Sequence, residues 1–282
     1  MPTQIQHVNP SFNIQAAEIN NETAQLFAEA GPMGLSIAVL DAENCFQALV
    51  SYSFTNVKGE KELSEAFNEI LQSEVLLQKK YHKTQLFWAF PESIIMPPEF
   101  INDDSKAQML DLVFGDAKKG IIKTDFLYKH NLHHVYRIPQ TIETCFAAKF
   151  PDAMQTHQYS LLVNREMQQG NHLFAIIYAH SLTVMLYKAG KFQLIQNFSY
   201  TFPDDTAYHL LNICKSHDVF PSTVKLHIAG FIDENSNLYA AMYKYFLNIE
   251  LDGLSEAFTY REEIKNHPPH FFSHLFAMAS CV

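Results

Sequence analysis

The segment Leu173-Phe-Ala-Ile-Ile-Tyr-Ala179 is followed by Leu182-Thr-Val-Met-Leu-Tyr-Lys188 and by Phe192-Gln-Leu-Ile-Gln-Asn-Phe-Ser-Tyr200. The first is a continuous apolar run, which is typical of a buried strand, whereas the other two alternate between the faces of a strand. Ala189–Gly190 separates the second segment from the third and favours a turn. The three segments therefore predict three successive strands, arranged as hairpins.

The rest of this half predicts helices that alternate with strands. Apolar residues recur at helical spacing after Pro203, and again after Ser236 or Asn237, which predicts two amphipathic helices. The predicted elements are a helix from Pro203, a buried strand Val224–Ala229 that ends at Gly230, a helix from Ser236 or Asn237, a strand Asn248–Leu251 and an aromatic helix Pro268–Ala279.

The first half of the chain predicts a similar order of elements. Its first 30 residues are polar and helix-tolerant, and a turn at Gly31–Pro32 ends them. Leu35–Leu40 and Cys45–Ser53 alternate on either side of the polar Asp41–Asn44, which predicts a hairpin. The next predicted elements are a helix Glu62–Lys79, a strand Thr84–Phe90, a helix Asp104–Phe114, extended segments Thr124–Tyr128 and Val135–Ile138, and a helix from Pro139 to Phe150.

The predicted elements of the two halves recur at a nearly constant spacing. The first strands of the halves begin at Leu35 and Leu173, 138 residues apart, and the second strands at Cys45 and Leu182, 137 apart. A constant offset predicts an internal duplication, with residues 1–165 forming one half and residues 166–282 the other. Two unrelated α/β domains are the alternative.

Composition and charge exclude several classes of protein. The 282 residues are 48% hydrophobic and 13% aromatic, which is enough for a large core and excludes a mainly disordered chain. The net charge is −10, and arginine occurs only at positions 137, 165 and 261. Because duplex binding requires several phosphate contacts from Lys and Arg, nucleic acid is not an expected partner.

The sequence also predicts a cytoplasmic protein. Met1–Pro10 is polar and lacks the apolar core of a signal peptide. The longest apolar run, Leu173–Ala179, is far shorter than the roughly 20 residues that span a bilayer. Widely spaced cysteines without a Cys-x-x-Cys pair indicate reduced, buried thiols. They are Cys45, Cys145, Cys214 and Cys281.

The repeated unit of hairpin strands, helix, strand and helix resembles the actin-like ATPase fold. That fold is α/β and consists of two RNase H-like halves, each a mixed sheet of antiparallel hairpin strands and parallel strands flanked by helices. A more specific similarity, to a bacterial family of unknown function with this fold, is carried by five segments. They are Phe192–Tyr200, Asp204–Leu211, Leu226–Gly230, Ser236–Tyr239 and Pro269–Phe272. The resemblance covers most of the chain.

The resemblance also implies where a nucleotide would bind, in a cleft between the halves. Actin-like ATPases carry a phosphate hairpin in each half, in which an Asp that holds Mg²⁺ is followed closely by Gly. The corresponding candidates are Asp41 in the first turn and Ser181 in the second, with Gly230 at the position of an adenosine-binding glycine. However, no Gly follows Asp41, and the turn Ala179–Thr183 contains neither Asp nor Gly.

We therefore expect a non-catalytic scaffold or protein-interaction module with a degenerate nucleotide cleft. The hypothesis assigns no catalytic residue, cofactor or metal. It expects a protein partner that the sequence does not identify, and it leaves homo-oligomerisation open. The alternative is an ATP-binding or ATP-hydrolysing protein that uses Mg-ATP at Asp41 and Gly230. A nuclease would need more carboxylates than Asp41 and Glu43. No residue directly supports a further alternative, a regulator of RNA or ribosome chemistry that acts through another protein.

Two groups of histidines are interpreted as structural rather than as metal ligands. His130-Asn-Leu-His133-His134 lacks a nearby Cys and is expected to be a solvated loop. His270 and His274 have the spacing of neighbours on a helix, but no Glu lies between them as in the zinc-binding signature. We expect them on an exposed face. Phe271, Phe272 and Phe276 are expected in the core, with a partner-binding stripe as the alternative.

Overall fold

The computed structural model describes residues 9–16, 18–55, 57–115, 120–165 and 167–281. The chain forms two compact units, of which the first comprises Met1–Ser160 with Phe258–Ile264 and the second Leu161–Ala257 with Lys265–Val282. The expectation about a signal peptide falls largely on residues 1–8, which lie outside the described residues. Glu166, where the second predicted half begins, also lies outside them. The division into halves 1–165 and 166–282 stays a prediction.

The first unit is built on two sheets. Its strands are β1 (Phe12–Gln15), β2 (Gln25–Gly31), β3 (Gly34–Leu40), β4 (Cys45–Ser53), β5 (Lys83–Trp88), β6 (Ser93–Met96), β7 (Gly120–Leu127), β8 (Leu132–Pro139), β9 (Met154–His157) and β15 (Thr259–Tyr260). The main sheet has the order β1-β4-β3-β2-β5-β9, with β15 also paired to β4. The strands β6-β8-β7 form a separate antiparallel sheet.

Helices pack against both sheets of the first unit. They are α1 (Gly59–Ser73), α2 (Asp103–Phe114), α3 (Gln140–Lys149) and α4 (Gln158–Val163), which continues into the second unit. The apolar face of α1 joins a core that also contains the inward side chains of β2, β3 and β4. Phe67 of α1 packs edge-on against Phe146 of α3, with ring centroids 5.3 Å apart. Burial of these aromatic rings contributes to the packing of the two helices.

The second unit contains one five-stranded sheet. Its strands are β10 (His172–Ile177), β11 (Ser181–Lys188), β12 (Lys191–Ser199), β13 (Lys225–Gly230) and β14 (Asn248–Leu251), and its order is β12-β11-β10-β13-β14. The helices are α5 (Pro203–Ser216), α6 (Asn237–Tyr243) and α8 (Ser273–Ala279), while α7 (Glu262–Lys265) lies where the chain leaves the first unit. Leu210, Ile213 and Met242 of α5 and α6 are buried in its core.

The two main sheets share one topology. In the first, β2 pairs antiparallel with β3, β3 antiparallel with β4, and β2 and β9 each pair parallel with β5. In the second, β10, β11, β12, β13 and β14 repeat this order and these directions. Mixed sheets flanked by helices confirm the predicted α/β fold class. The origin of the shared topology by duplication stays a prediction.

The expectation for the first 30 residues was wrong. Instead of a helix-tolerant stretch, the chain forms β1 and the buried strand β2. Because the consecutive residues Leu26–Gly31 of β2 are buried, both of its faces are covered, and the apolar alternation of a half-buried strand is missing. Its small residues Ala28 and Ala30 are fully buried. Alanine favours helices, so the composition of β2 misled the prediction.

Missing β2 also shifted the predicted alignment of the two halves by one strand. Leu35–Leu40 was aligned with Leu173–Ala179, but β3 is the second strand of its hairpin set and β10 is the first. The strands that correspond by topology are β2 and β10, which begin at Gln25 and His172, 147 residues apart. The element types of the aligned regions were nevertheless right.

Most other predicted elements are confirmed. The hairpin β3–β4, the strands β5 and β14, and the helix after Pro139 lie where the sequence predicted them. The predicted helix Glu62–Lys79 is interrupted at Glu74, which is extended and whose side chain accepts a hydrogen bond from the Leu76 amide (3.0 Å), starting a 3₁₀ turn. The aromatic C-terminal segment divides into a 3₁₀ turn and α8. Among the described residues, no helix has the length and apolar character needed to cross a bilayer.

Candidate functional site

A cavity of about 470 Å³ lies at the carboxyl end of the first sheet, where the parallel strands β2 and β5 end. Ligands of open α/β sheets commonly bind at this end of the strands. Most of the lining is apolar and comes from Leu63 and Phe90 and from three prolines, Pro32, Pro91 and Pro139. Its volume is within the range of small-molecule pockets, roughly 300–1,000 Å³.

Separate elements position this apolar lining. Pro32 lies in the turn between β2 and β3, Phe90 and Pro91 directly follow β5, and Pro139 ends β8. Leu63 lies in the N-terminal part of α1. Because proline has no backbone N–H, these walls offer few donors to an anionic ligand.

Arg137 lies in the wall of the cavity and is neutralised by two carboxylates. The residue is buried, its Nη1 is 3.3 Å from Glu92 Oε2, and its Nη2 is 2.6 Å from Asp111 Oδ1. The Arg137 amide also donates to the Glu92 carbonyl oxygen at 2.9 Å. The arginine is therefore held in place by the protein's own acids, and little of its positive charge remains for an anion.

Acidic residues also surround the N-terminus of α1. Glu60, which lines the cavity, accepts a hydrogen bond from the Thr141 hydroxyl at 2.8 Å. Glu62 accepts one from the Lys58 amide, at the N-cap position, at 2.7 Å. Two carboxylates at this end of the helix more than offset the roughly half positive charge of the helix dipole. A phosphate group here would meet like charge.

The carboxyl end of the second sheet brings together two of the predicted site residues. In register, Ile177 of β10 lies beside Gly230 of β13 and Leu182 of β11, which follows Ser181. Ser181 and Gly230 therefore lie on either side of the end of β10. The sequence prediction placed both near one site, and the structure places both at one end of the same sheet.

This end of the second sheet is filled by the chain itself. Gly230 has φ +90°, and a Cβ on it would lie 2.1 Å from the carbonyl oxygen of Ile177. Ser181 is buried, and its carbonyl oxygen accepts from the Tyr178 amide at 2.8 Å. The Tyr200 hydroxyl donates to the Tyr178 carbonyl oxygen at 2.5 Å. These contacts give Gly230 and Ser181 roles in backbone packing.

Asp41 lies at the opposite end of the first sheet, after β3. Its Oδ1 accepts from the amides of Glu43 (3.0 Å) and Cys45 (2.8 Å), and its Oδ2 accepts from Gln47 Nε2 at 2.6 Å. A carboxylate bonded to amides two and four residues ahead is typical of a turn residue. Nucleotide binding at Asp41, Ser181 and Gly230 stays a prediction.

The turn that corresponds by topology to Tyr178–Ser181 is Gly31-Pro-Met-Gly34, between β2 and β3. This turn was predicted at Gly31–Pro32, but without the strand β2 that precedes it. A Cβ on Gly34 would lie 2.1 Å from the Tyr52 carbonyl oxygen, so the close approach of β3 and β4 explains that glycine. Glycines at both ends of a short turn were the available signal for this hairpin.

The residues of the cavity were not predicted as a site. Pro32, Glu60 and Glu92 are separated in sequence and form no motif. Arg137 had the best available signal, since an arginine inside the apolar strand segment Val135–Ile138 indicates a buried, paired cation.

A buried polar network connects β7, β8, β9 and α4 in the first unit. Ser160 Oγ donates to Asp125 Oδ2 at 2.6 Å and is 2.8 Å from His134 Nδ1. Asp125 also accepts from the His157 amide (2.9 Å) and the Tyr136 hydroxyl (3.2 Å). The hydroxyl lies between the carboxylate and the imidazole, whereas in a catalytic triad the imidazole lies between the other two. Since His134 and His157 are fully buried, this network stabilises the fold rather than reaching a substrate.

Burial sets the protonation of this network. It lowers the pKa of His157 to about 3 and lowers that of His134 well below its usual value, with the neighbouring His157 adding to the effect. Burial also raises the pKa of Asp125, against the hydrogen bonds from Ser160, His157 and Tyr136. Both histidines are therefore neutral at pH 7.

Several expectations for histidine and cysteine were wrong. His134 lies in β8 and is fully buried, so it is not part of a solvated loop. His270 and His274 are also buried rather than exposed, and His270 Nε2 bonds to the Ile232 carbonyl oxygen at 2.8 Å. Cys281 is exposed, contrary to the expected burial. Aromatic neighbours cover these histidines, and a single sequence does not reveal that packing.

Other expectations are confirmed. Cys214 is buried, and its burial raises the thiol pKa to about 11. Phe272 and Phe276 lie in the core as expected. The expected absence of a metal stays a prediction; among the described residues, no three His, Cys, Asp or Glu side chains gather in a way that could hold a metal ion.

The chain belongs to a family described as "Protein of unknown function (DUF3822)", whose model matches residues 14–249. A solved structure from Bacteroides thetaiotaomicron, a protein with actin-like ATPase fold and unknown function, is 15% identical, with a TM-score of 0.72 over 84% of this chain and 94% of that chain. The PilM–PilN type IV pilus biogenesis complex gives 12% identity and a TM-score of 0.60 over 92% and 98%. No curated protein matches the sequence. These similarities establish the actin-like fold. They also confirm the resemblance, inferred from the sequence, to a family of unknown function with that fold.

Proposed function

We propose that this protein is a non-catalytic scaffold or interaction module that retains the actin-like fold without its nucleotide chemistry. The observation that carries this proposal is the largely apolar cavity at the carboxyl end of the first sheet, with the carboxylates of Glu60 and Glu92 in its wall. A phosphate-binding site needs backbone amides and cations directed at the ligand. Here Glu60 and Glu62 place carboxylates at the N-terminus of α1. Glu92 and Asp111 pair with the buried Arg137.

The closed end of the second sheet supports the same proposal. Phosphates need glycine amides that they can approach closely, but the space beside Gly230 is taken by the Ile177 backbone. Ser181 is buried, and the carbonyl oxygen of Tyr178 in the same turn accepts a hydrogen bond from the Tyr200 hydroxyl. A nucleotide would have to displace these contacts in order to use either residue.

Partner binding is the function that remains for such a fold. One fold hosts unrelated activities, so the choice has to come from the site and not from the actin-like architecture. The PilM structure with this fold is a complex with PilN, and the fold therefore accommodates a protein partner. Cytoplasmic location is a further expectation of the proposal, and homo-oligomerisation is left open.

The test is thermal unfolding of the full chain with and without millimolar Mg-ATP. We expect an unchanged midpoint. A ligand at about 100 times its Kd stabilises a protein by about 2.7 kcal/mol, which for this size corresponds to roughly 5–10 °C. A sensitive dye assay or calorimetry resolves such a shift easily.

A clear shift with Mg-ATP would contradict the proposal and favour the alternative of an ATP-binding or ATP-hydrolysing protein. In that case the variants Asp41→Ala and Ser181→Ala would locate the site, since a shift lost in either variant assigns the nucleotide to the predicted residues. Magnesium chloride alone is the matched control, because it separates nucleotide binding from a metal effect.

A further inference from the structure

We propose that the cavity of the first unit binds the side chain of a lysine or arginine in a basic segment of a partner protein. The inference rests on the proposed function, since it names the site and the chemistry of the partner. The cavity lies between the turn of Pro32, the start of α1 and the end of β8. No part of it belongs to the turn of Asp41 or to the end of the second sheet.

The lining of the cavity fits a cation carried on an apolar stem. Leu63, Phe90 and the three prolines provide apolar walls, whereas Glu60 and Glu92 provide carboxylates. Lysine and arginine bury their methylene stems against apolar surface while their charged ends remain near polar groups. An aliphatic side chain would leave the carboxylates unused, and an acidic side chain would be repelled by them.

The charge balance around the cavity is negative. Glu60, Glu92 and Asp111 contribute three carboxylates, against the single guanidinium of Arg137. Glu62 adds another carboxylate at the start of α1 and offsets the partial positive charge of that helix end. Glu60 is exposed, and it accepts a hydrogen bond from the Thr141 hydroxyl, a neutral group. Its negative charge is therefore available to an incoming cation.

The charge of the whole chain favours the same partner. A net charge of −10 attracts a basic segment and increases its rate of association. Local and global charge agree, so a segment that combines Lys or Arg with neighbouring apolar residues is the expected ligand. Its main chain would lie outside the cavity and its cationic side chain inside.

The experiment selects peptides from a random library displayed on phage, using the immobilised full chain. The affinity of the enriched peptides is then measured by fluorescence anisotropy against the wild type and the variants Glu60→Lys, Glu60→Gln and Glu65→Lys. Glu65 is the matched control because it lies one turn further along α1, is exposed and does not line the cavity. Glu60→Gln removes the charge but retains an oxygen that accepts from Thr141.

We expect enriched peptides to share a Lys or Arg next to an apolar residue. The Kd should rise at least about tenfold in Glu60→Lys, because a charge-assisted bond of about 1.5 kcal/mol or more is lost. It should rise by a smaller factor in Glu60→Gln and stay within about twofold in Glu65→Lys, an exposed site. Free n-butylammonium should compete only at concentrations far above that of the peptide.

Four results would overturn the inference. They are no enrichment, enrichment of peptides without a basic residue, an equal loss of affinity in Glu60→Lys and Glu65→Lys, and competition by n-butylammonium at peptide-like concentrations, which would indicate a free amine as the ligand. If any of these occurs while Mg-ATP leaves the unfolding midpoint unchanged, the inference fails and the proposed function stands. A shift with Mg-ATP would overturn the proposed function itself.

Discussion

The two main sheets have the same strand order but different carboxyl ends. In the first unit, the end of β2 and β5 borders a cavity of about 470 Å³ with carboxylates and prolines in its wall. In the second, the end of β10 and β13 is closed by the Gly230–Ile177 contact and by the Tyr200 hydroxyl bond. A shared topology therefore does not preserve a site, because the turns and the first helical turn decide what the end of a sheet can bind.

The outer sides of the sheets differ as well. β1 and β15 pair along the outer side of β4, whereas the corresponding strand β12 is an edge strand among the described strands. The first sheet is thus extended by one segment that precedes its other strands in the chain and by one that follows the second sheet.

The largest effect is expected for Gly230→Ala, which should destabilise the protein by at least about 3 kcal/mol or prevent folding. A Cβ would lie 2.1 Å from the Ile177 carbonyl oxygen on a backbone with φ +90°. The matched control is Gly253→Ala, where a Cβ would meet no atom within 4 Å. Denaturant unfolding measures both, and a tolerated Gly230→Ala would show that the end of the second sheet is open.

The next effect is expected for Arg137→Met in the cavity wall of the first unit. Removal of the guanidinium leaves Glu92 and Asp111 without their cation and should cost about 2 kcal/mol. The control Arg261→Met breaks the more exposed pair with Glu263 and should cost less than about 1 kcal/mol. Equal losses of unfolding free energy would contradict the described role of Arg137.

Acidification from pH 7 to pH 5 is expected to cost about 2 kcal/mol through the buried network of the first unit. The pKa of His157 is about 3 in the folded chain, against about 6.5 in the unfolded chain. Below pH 6.5 the unfolded chain binds a proton that the folded chain excludes, so stability falls as the pH falls through this window by about 1.4 kcal/mol per pH unit for this histidine.

The measurement is the unfolding free energy of the wild type and of His157→Gln between pH 7 and pH 5. The variant should lose less stability on acidification, whatever its stability at pH 7. His180→Gln, which changes an exposed histidine, is the control and should retain the wild-type slope. Asp125 acts in the opposite direction, since its raised pKa stabilises the folded chain as it protonates. Parallel slopes for the wild type and His157→Gln would refute the assignment.

The smallest effect is expected for Tyr200→Phe, at the turn of the second unit. The variant loses the hydrogen bond from its hydroxyl to the Tyr178 carbonyl oxygen and should be destabilised by about 1 kcal/mol. Tyr208→Phe, at an exposed position of α5, is the control and should change stability by less than about 0.5 kcal/mol. A neutral Tyr200→Phe would mean that the phenol does not hold this turn closed.

The sequence predicted the fold class because its signals are local. Cys45–Ser53 shows the alternation of a strand, and Ala207, Leu210 and Cys214 have helical spacing, so these elements lie where expected. β2 was missed because a strand covered on both faces has no alternation, and its alanines favour a helix. Without β2, the predicted sheet lacked its first hairpin, which β2 and β3 form.

The candidate site was less accessible to prediction for a different physical reason. Glu60, Glu92 and Arg137 come from three separate elements, and only the folded chain brings them to one cavity. Asp41 was chosen because the resemblance requires an Asp in a hairpin turn, but its carboxylate caps that turn. Ser181 and Gly230 were also chosen from the resemblance; the strand order places them at one end of the second sheet, and their role in nucleotide binding stays a prediction.

The most direct test of the central claim is NMR mapping of two ligands on the isotope-labelled full chain. We expect n-butylammonium to shift the backbone amide signals around the cavity, at Gly59, Leu63 and Thr141, and Mg-ATP to leave those of Ser181 and Gly230 unchanged. Shifts at Ser181 and Gly230 with Mg-ATP, and none around the cavity with the cation, would contradict the claim that the first sheet holds the open, acidic site.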